Sequence, residues 1–286
     1  MNFNKQALAP GLYFVATPIG AARDITLRAL DVLASADMIA AEDTRSMRHL
    51  LDIHGVPLDG RRIMSYHDHS GQGTRETLLA ALAEGKSVAY GSEAGMPLIA
   101  DPGYDLSRAA AAAGHRVTVA PGASAALAAL TLGGLATDAF FFNGFLPNAT
   151  QARRTRLAAL ADIPGTLVFY ESPNRIAAML DDAAEVLGGD RPAALCRELT
   201  KKFEEVRRDS LDGLRNSVAE RPPKGEIVVL IDRARSESVK EADLEEDIRQ
   251  AITKMSVKDA VDLVSRAHGL PRRKVYQLAL ALAKEG

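Results

Sequence analysis

Residues 86–103 read KSVAYGSEAGMPLIADPG, an apolar strand that runs into a loop rich in glycine and proline. Glycine has no Cβ, so a loop of this kind lets the backbone approach a bound molecule closely. A second such turn, RVTVAPGASAA at 116–126, opens a helix with Ser124 as its expected N-cap, which is a ready anion site. Two turns of this type after successive strands predict a small-molecule site at the carboxyl ends of a parallel sheet.

The composition is that of a globular protein with about two domains, because the chain has 286 residues, 47% of them apolar and 25% charged. The formal net charge of −2 does not favour a dedicated nucleic-acid-binding domain, which is often basic. Any RNA contact therefore has to be a local basic patch. Cys196 is the only cysteine, which excludes an intrachain disulfide and suits a reducing cytosol. We expect it to be a core residue.

The first residues, MNFNKQALAPG, lack the basic-then-apolar pattern of a signal peptide. The apolar runs are too short to span a bilayer. We therefore expect a cytoplasmic protein without a membrane partner.

Strand-like and helix-like runs alternate along most of the chain, which is typical of a doubly wound α/β fold followed by a second α/β unit. Strands are expected at 12–19, 38–42, 62–66, 87–91, 116–120, 140–145, 166–171, 193–198, 204–208 and 226–232. Helices are expected near 26–35, 46–54, 75–84, 105–113, 124–132, 151–161 and 174–187. The predicted domains are an N-terminal α/β domain at 1–121, a C-terminal α/β domain at 122–235 and a helical extension at 236–286.

The helical extension follows a charged segment and contains two amphipathic helices around a turn at 269–271. Their spacing is that of a helix-turn-helix. Each helix carries an apolar stripe that needs a partner surface. The stripes consist of Val257, Ala260, Val261 and Val264, and of Val275, Leu278, Ala279 and Leu282.

Eight motifs in order resemble those of the tetrapyrrole methylase superfamily, in particular its branch that methylates ribosomal RNA. The loop SEAGMPLIADPG is similar to the family's SDAGTPLISDPG, and the likeness runs from about residue 12 to 231. The motifs are ATPIGAARDITLRAL (16–30), AAEDTR (40–45), SYHDH (65–69), PGASA (121–125), GFLP (144–147), FYESPNR (169–175), RELTKKFEE (197–205) and KGEIV (224–228).

The resemblance implies two α/β domains of tetrapyrrole-methylase type with S-adenosylmethionine in the cleft between them, plus a helical C-terminal appendage. It also implies a homodimer that methylates the 2'-hydroxyl of a cytidine in the decoding region of 16S rRNA, in the small ribosomal subunit. The implied cofactor-binding residues are Pro18, Ser92, Glu93, Gly95, Met96, Pro97, Ile99, Ser124, Ala125, Tyr170, Glu171, Leu199 and Gly225.

Four positions depart from the family pattern. Glu93 replaces the usual Asp, which keeps the carboxylate but moves it one methylene outward. Met96 replaces Thr and Ala21 replaces Asn, so two polar groups are lost. Asn174 replaces His, so the side chain no longer titrates near neutral pH. We expect the site to be present with altered contacts.

Transfer of a methyl group to a ribose hydroxyl needs positioning and a base that removes the hydroxyl proton. Carboxylates and lysines in the motifs are reasonable candidates, and the sequence does not choose among them. The candidates for the reaction are Asp24, Glu42, Asp43, Lys201 and Glu204. No convincing metal-ligand spacing is present.

Local basic residues are candidates for contacts with RNA phosphates, which give affinity without sequence choice. The candidates are Arg23, Arg45, His67, His69, Arg153, Arg154, Arg175, Arg272, Arg273 and Lys274. Solvated helix faces are the equally simple interpretation.

Two other functions remain open at this point. A tetrapyrrole C-methyltransferase acting on uroporphyrinogen or a precorrin would share the fold and the cofactor. A non-catalytic RNA-binding protein is the second alternative, because of the departures at Ala21, Glu93 and Met96. The absence of G-x-G-x-x-G after the first strand speaks against a dinucleotide enzyme.

Overall fold

The computed structural model describes residues 3–67, 72–234, 241–268 and 272–285, and within these it contains two five-stranded sheets and eleven α-helices. Both sheets belong to one compact unit, Met1–Arg233, and Ala234–Gly286 form a second unit. The predicted boundary near residue 121 thus separates two sheets within one unit and stays a prediction as a domain boundary. His69 and the turn at 269–271 lie outside the described residues, as does the side chain of Lys274.

The first sheet is entirely parallel, with the strand order β3-β2-β4-β1-β5. Helices cover both of its faces, which is why its central strands are continuous apolar runs. The strands are β1 (Gly11–Val15), β2 (Met38–Ala41), β3 (Ile63–Ser65), β4 (Ser87–Gly91) and β5 (Val117–Ala120). The helices are α1 (Leu27–Ser35), α2 (Thr44–His54), α3 (Gln72–Ala83) and α4 (Tyr104–Ala112).

Alternate residues of β1 enter two different cores, as the two-residue period of a strand requires. Leu12 and Phe14 pack into a cluster with Tyr90. Tyr13 and Val15 pack into the opposite cluster. The sheet is therefore buried on both faces, and only the strand ends are left to build a site.

The strand β1 ends at Val15, four residues before the predicted end at 19, because the chain then pairs with another loop. The N–H of Thr17 donates to the carbonyl oxygen of Gly95, and the N–H of Gly95 donates to the carbonyl oxygen of Thr17, both at 3.0 Å. This isolated bridge holds the loop after β4 against the loop after β1.

The second sheet is mixed, with the order β6-β7-β10-β8-β9 and one parallel pair, β6 with β7. Its strands are β6 (Phe140–Phe145), β7 (Thr166–Glu171), β8 (Pro192–Arg197), β9 (Glu205–Ser210) and β10 (Ile227–Ile231). The helices of this part of the chain are α5 (Ala125–Gly133), α6 (Thr150–Leu160), α7 (Ile176–Leu187) and α8 (Leu211–Glu220).

The helix α5 packs on one face of the second sheet through small residues, and α6, α7 and α8 contribute to the core on the other face. Ala129 and Leu130 meet Val168 and Leu230. At the end of α5 the approach is so close that a Cβ on Gly133 would lie 2.3 Å from Leu230 Cδ1. The small residues of α5 thus let its backbone lie close to the second sheet.

The helix α8 was not among the predicted helices, although its sequence SLDGLRNSVAE carries the signals. Ser210 is the N-cap and accepts a hydrogen bond from the N–H of Gly213 at 3.1 Å. Leu211, Leu214 and Val218 form its buried stripe. A cap followed by apolar residues at i, i+3 and i+7 would have located it.

The second unit consists of three helices, α9 (Glu241–Ile252), α10 (Val257–His268) and α11 (Arg272–Glu285). The apolar stripes predicted on α10 and α11 pack together and against Leu244 and Ile248 of α9. Each stripe therefore has its partner inside the unit. The first helix, α9, begins within the charged segment before residue 248, for which a linker and the start of a solvated helix were both open.

No helix in the described part of the chain is both long enough and apolar enough to cross a membrane.

A buried ion pair between α6 and α7 gives the first testable prediction. Arg153 is 4% exposed, and its Nε donates to Asp182 Oδ2 at 2.6 Å. Asp182→Ala should lower the free energy of unfolding by about 3–5 kcal/mol, because it leaves a buried guanidinium without its counter-ion. Urea unfolding followed by circular dichroism measures this change.

The neighbouring Asp181→Ala is the matched control. Asp181 is exposed and lies 4.0 Å from Arg215, so its removal should cost about 0–1 kcal/mol. Equal effects of the two substitutions would contradict a structural role for the buried pair.

Candidate active site

A cavity of about 670 Å³ lies between the two sheets, at the carboxyl ends of the parallel strands. The loop after β1, the loop after β4 and the first turn of α5 form one side. The end of β7 and the segments around Leu199 and Gly225 form the other side. All of the predicted cofactor-binding residues except Ser92 and Pro97 line it. Their roles as cofactor ligands stay a prediction.

The loop after β4 adopts a conformation that strains two ordinary residues. Gly95 has a φ of +85°, which suits glycine, but Leu98 and Ala100 also lie in the left-handed region at +70° and +62°. Each costs roughly 1–2 kcal/mol in a residue with a Cβ. Such strain persists only where surrounding contacts impose it, and it is common at functional sites.

Ser92 supports this loop from behind the cavity wall. Its side chain is buried, its hydroxyl donates to the carbonyl oxygen of Gly95 at 3.0 Å, and its own carbonyl oxygen accepts from the hydroxyl of Thr17 at 3.3 Å. Ser92 therefore positions the residues that face the cavity.

The loop between β8 and β9 forms the opposite wall and is strained in the same way. Glu198 and Thr200 have φ values of +50° and +65°, and Leu199 between them lines the cavity. The hydroxyl oxygen of Thr200 accepts a hydrogen bond from the N–H of Ala21 at 3.1 Å. Glycine is required at position 20, because a Cβ there would lie 2.5 Å from Lys201 Cγ.

Carboxyl groups dominate the charge of the cavity. Asp101, Glu42, Glu93 and Glu171 all line it. Burial raises the pKa of Asp101 to about 7, and the charges of Glu42 and Glu93 add to the effect, while the nearby Ser92 hydroxyl partly offsets it. Asp101 Oδ2 is buried without a hydrogen-bond partner.

Glu171 is a second carboxyl group with an unpartnered oxygen. It is 3% exposed, and burial raises its pKa, although the N–H of Ser172 and the guanidinium of Arg175 work against this. Oε1 accepts from the N–H of Ser172 at 2.8 Å, whereas Oε2 is buried without a partner.

Of the candidates for the reaction, Glu42 lines the cavity and the other four do not. Asp43 is the N-cap of α2 and accepts from the N–H groups of Arg45 and Ser46, and these hydrogen bonds lower its pKa. Asp24 is exposed in a short 3₁₀ turn.

Lys201 and Glu204 brace the loop at 198–200. Lys201 Nζ lies 3.1 Å from Glu198 Oε1 and 2.9 Å from Glu226 Oε2. Burial disfavours its charge, but the hydrogen bonds to these two carboxylates outweigh burial and raise the pKa of Lys201. Glu204 Oε2 accepts from the N–H of Thr200 at 2.7 Å. A catalytic role for either residue stays a prediction.

Several of the candidate RNA-binding residues form ion pairs within the protein. Arg153 is buried in its pair with Asp182, which corrects the expectation that it is available to a phosphate. Arg154 also pairs with Asp182, and Arg175 pairs with Glu171.

The other candidate RNA-binding residues that the structure describes are more exposed to solvent. Arg272 pairs with Asp262 at 2.7 Å within the second unit. Arg23, Arg45 and Arg273 are exposed, and His67 is partly exposed.

Some cavity residues were absent from the predicted set. Asp101 was expected, with Glu93, to offer a carboxylate to the amino acid or ribose end of the ligand, but it was not in the set of cofactor-binding residues. The other missed residues lie in or beside the family motifs. Their position next to a strand end is the signal by which they could have been found. They are Ile19, Gly20, Ser46, Ala94, Ala100, Phe145, Ser172, Pro173, Glu226, Ile227 and Val228.

No group of three His, Cys, Asp or Glu side chains that could hold a metal ion occurs in the ranges that the structure describes.

Comparison with known proteins defines the class. Residues 11–215 match the model of the Tetrapyrrole (Corrin/Porphyrin) Methylases, and the chain belongs to this family. It is a methyltransferase that uses S-adenosylmethionine as its methyl donor. The second unit matches a separate model, the RsmI C-terminal HTH domain, over residues 238–283.

Curated relatives narrow the class further. The chain is 46% identical to the Ribosomal RNA small subunit methyltransferase I of Mesorhizobium japonicum, over 96% of this chain and 93% of the relative. It is 42% identical to the protein of the same name in Escherichia coli O157:H7, over 94% of each. The solved methyltransferase CobJ shares the fold, with a TM-score of 0.60 and 22% identity over 78% of this chain and 94% of that one.

The cavity fits S-adenosylmethionine in size and charge. Its volume is in the usual range for small-molecule sites. Its carboxyl groups suit a ligand with a positively charged sulfur and amino group. The helix α5 begins at Ala125 on the wall, and the first N–H groups of a helix lack intrahelical partners, which suits the ligand's carboxylate.

Proposed function

We propose that this chain methylates the 2'-hydroxyl of a cytidine in 16S rRNA, with the methyl donor bound in the cavity between the two sheets. The observation that carries the proposal is the near full-length likeness to proteins named Ribosomal RNA small subunit methyltransferase I, together with the acidic cavity that its motifs surround. The proposal includes the small ribosomal subunit as the substrate particle and a ribose oxygen as the methyl acceptor.

The residues of the cavity have distinct tasks in this reaction. The methyl donor supplies an electrophilic methyl group bonded to a positively charged sulfur. Ile19, Leu199 and Val228 give the cavity apolar surface that receives the adenine and excludes water. The carboxyl groups of Glu93 and Glu171 offset the positive charge.

The acceptor nucleotide enters from the side where α2 meets the cavity. Glu42 and Ser46 line the cavity at this point, and Arg45, which precedes Ser46 in the chain, has a side chain that is 91% exposed. A cation here suits a phosphate of the acceptor strand. Arg23 and, in the second unit, Arg273 are further exposed cations for the same purpose.

The assembly is proposed to be a cytoplasmic homodimer. Leu27 of α1, Val119 of β5 and Leu127 of α5 are large apolar side chains that are exposed, and β5 is the edge strand of the first sheet. Exposed apolar surface next to an edge strand supports an interface with a second copy. Light scattering after size exclusion measures the mass directly.

Radiolabel transfer tests the function. The purified chain, incubated with methyl-labelled S-adenosylmethionine and small ribosomal subunits that lack the modification, should place label in 16S rRNA. The label should survive alkaline hydrolysis in a dinucleotide, because a 2'-O-methyl group blocks cleavage at that ribose. Label in uroporphyrinogen and none in RNA would contradict the proposal, and so would label on a base.

Gly95→Val tests the position of the methyl donor. A Cβ at position 95 would lie 3.3 Å from Ile19 Cγ2 and 3.5 Å from the carbonyl oxygen of Ala123, so the valine crowds the wall. We expect the affinity for S-adenosylmethionine, measured by calorimetry, to fall about tenfold or more.

The control is Gly85→Val, which places the same side chain at a similar φ of +80° but with nothing within 4 Å. Both variants lose stability through backbone strain, and only Gly95→Val should lose affinity. A folded Gly95→Val protein with normal affinity would show that the donor binds elsewhere.

Arg45→Glu tests the RNA contact. It should weaken binding to 16S rRNA and reduce the slope of log K against log salt by about 0.7 to 0.9, the value for one phosphate contact. Arg108→Glu is the control, since Arg108 is exposed on α4 and does not line the cavity. Identical salt slopes for wild type and Arg45→Glu would remove Arg45 from the interface.

A further inference from the structure

The loop between β8 and β9 presents an aromatic ring to solvent. Phe203 is 62% exposed, and its ring has no polar atom that could hydrogen-bond to water. A single exposed apolar side chain is common on protein surfaces and by itself indicates nothing. Three further features of this loop distinguish Phe203: a rigid turn, a neighbouring cation and a short path to the cavity.

The turn that carries Phe203 is held by its own hydrogen bonds. The N–H of Lys201 donates to the carbonyl oxygen of Glu198 at 3.0 Å, and the N–H of Glu204 donates to the carbonyl oxygen of Lys201 at 3.1 Å. The N–H of Thr200 donates to Glu204 Oε2 at 2.7 Å. The backbone on both sides of the ring is therefore ordered before any partner arrives, which lowers the entropic cost of binding.

Lys202 places a positive charge beside the ring. Its Nζ lies 5.6 Å from the centroid of the Phe203 ring, and among the residues that the structure describes no carboxylate pairs with it. Of the carboxylates that follow, Glu204 is bound by the backbone of the turn and Glu205 by three arginines. An exposed ring with an adjacent cation suits a nucleotide, because the ring stacks on the base and the cation contacts the phosphate.

The ring is close to the cavity without being part of it. Leu199, near the start of the same loop, lines the cavity, and Phe203 follows four residues later but does not line it. Four residues span about 14 Å at most when extended, and the hydrogen bonds of the turn make the actual span shorter. Phe203 therefore lies outside the site of the methyl donor, at a distance that suits a nucleotide next to the acceptor.

We propose that Phe203 is a stacking platform for a base of single-stranded RNA beside the acceptor nucleotide, with Lys202 in contact with an adjacent phosphate. This inference rests on the proposed function, because it takes RNA as the substrate. Unstacked bases of single-stranded RNA commonly bind to exposed aromatic faces. The strand then crosses the mouth of the cavity, from Arg45 on α2 to Phe203 on the opposite wall. The stack raises the affinity for RNA and leaves the methyl donor untouched.

The chain contains no tryptophan, which makes a direct test possible. Phe203→Trp introduces a single indole, and excitation at wavelengths that tyrosine does not absorb reports on it alone. Because a stacked base quenches indole fluorescence, single-stranded oligocytidylate should quench this variant. An oligomer of the same ribose–phosphate chain without bases should not. The control is Phe140→Trp, at an exposed position of the edge strand β6 outside the cavity, and neither oligomer should quench it.

Affinity for oligocytidylate is the second readout. Phe203→Ala should weaken binding by about 5- to 150-fold, the range for the loss of one base–aromatic stack. Phe203→Tyr should bind as the wild type does, whereas Phe203→Leu, which keeps apolar surface without a ring, should bind as weakly as the alanine variant. Phe140→Ala should retain wild-type affinity. The dissociation constant of S-adenosylmethionine, measured by calorimetry, should be unchanged in all four variants, which also shows that they are folded.

The phosphate contact is tested by Lys202→Gln. This change should reduce the slope of log K against log salt by about 0.7, the value for one phosphate of a single strand. Lys86→Gln is the matched control, because Lys86 precedes β4 at the amino edge of the first sheet and pairs with Glu84. It should leave the slope unchanged.

Four outcomes overturn the inference. Equal quenching of Phe203→Trp by the oligomer without bases shows that no base stacks there. Wild-type RNA affinity in Phe203→Ala removes the ring from the interface, and wild-type affinity in Phe203→Leu replaces stacking by a plain apolar contact. A dimer that dissociates in Phe203→Ala, measured by light scattering, makes the loop an interface between copies. A wild-type protein that leaves 16S rRNA unmethylated refutes the proposed function itself, which is a distinct result because quenching and affinity are measured without methyl transfer.

Discussion

Two backbone hydrogen bonds between Thr17 and Gly95 are the interaction on which the cavity depends. They tie the loop after β1 to the loop after β4 at the carboxyl edge of the parallel sheet. With the start of the second loop fixed, the chain reaches Asp101 only through left-handed turns at Leu98 and Ala100. Glycine at position 95 is therefore needed first for backbone geometry, and its lack of a side chain leaves the cavity open.

A second link extends the same edge to the other sheet. The N–H of Ala21 donates to the hydroxyl oxygen of Thr200, and Gly20 lies so close to this loop that a Cβ there would be 2.5 Å from Lys201 Cγ. Ion pairs from Lys201 to Glu198 and Glu226 hold that loop in place. The cavity is thus assembled from segments far apart in the chain. Two of them, the loop after β4 and the loop between β8 and β9, are strained locally and are held by their neighbours.

The strands and most helices were predictable because buried parallel strands are plain apolar runs with turn residues at their ends. Most residues of the cavity wall were predictable for the same reason, because residues that face a ligand come directly after strand ends. Side-chain partnerships were not predictable. Arg153 was a candidate for a phosphate contact or for a solvated helix face, yet it pairs with a buried aspartate on α7. Arg272 forms an ion pair with Asp262 on a neighbouring helix. Such pairs depend on contacts that no local pattern encodes.

The helix α5 has a consequence for how the protein unfolds. Its first turn lies on the cavity wall, and its last residue, Gly133, lies against Leu230 in the middle of the second sheet. A ligand that binds the native cavity stabilises the native state by mass action. The helix α5 connects a bound ligand to the second sheet, and the loops after β1 and β4 connect it to the first sheet. The free energy of ligand binding therefore stabilises both sheets. We therefore expect calorimetric melting of the two sheets to be a single cooperative transition, with a midpoint that rises when the cavity is occupied.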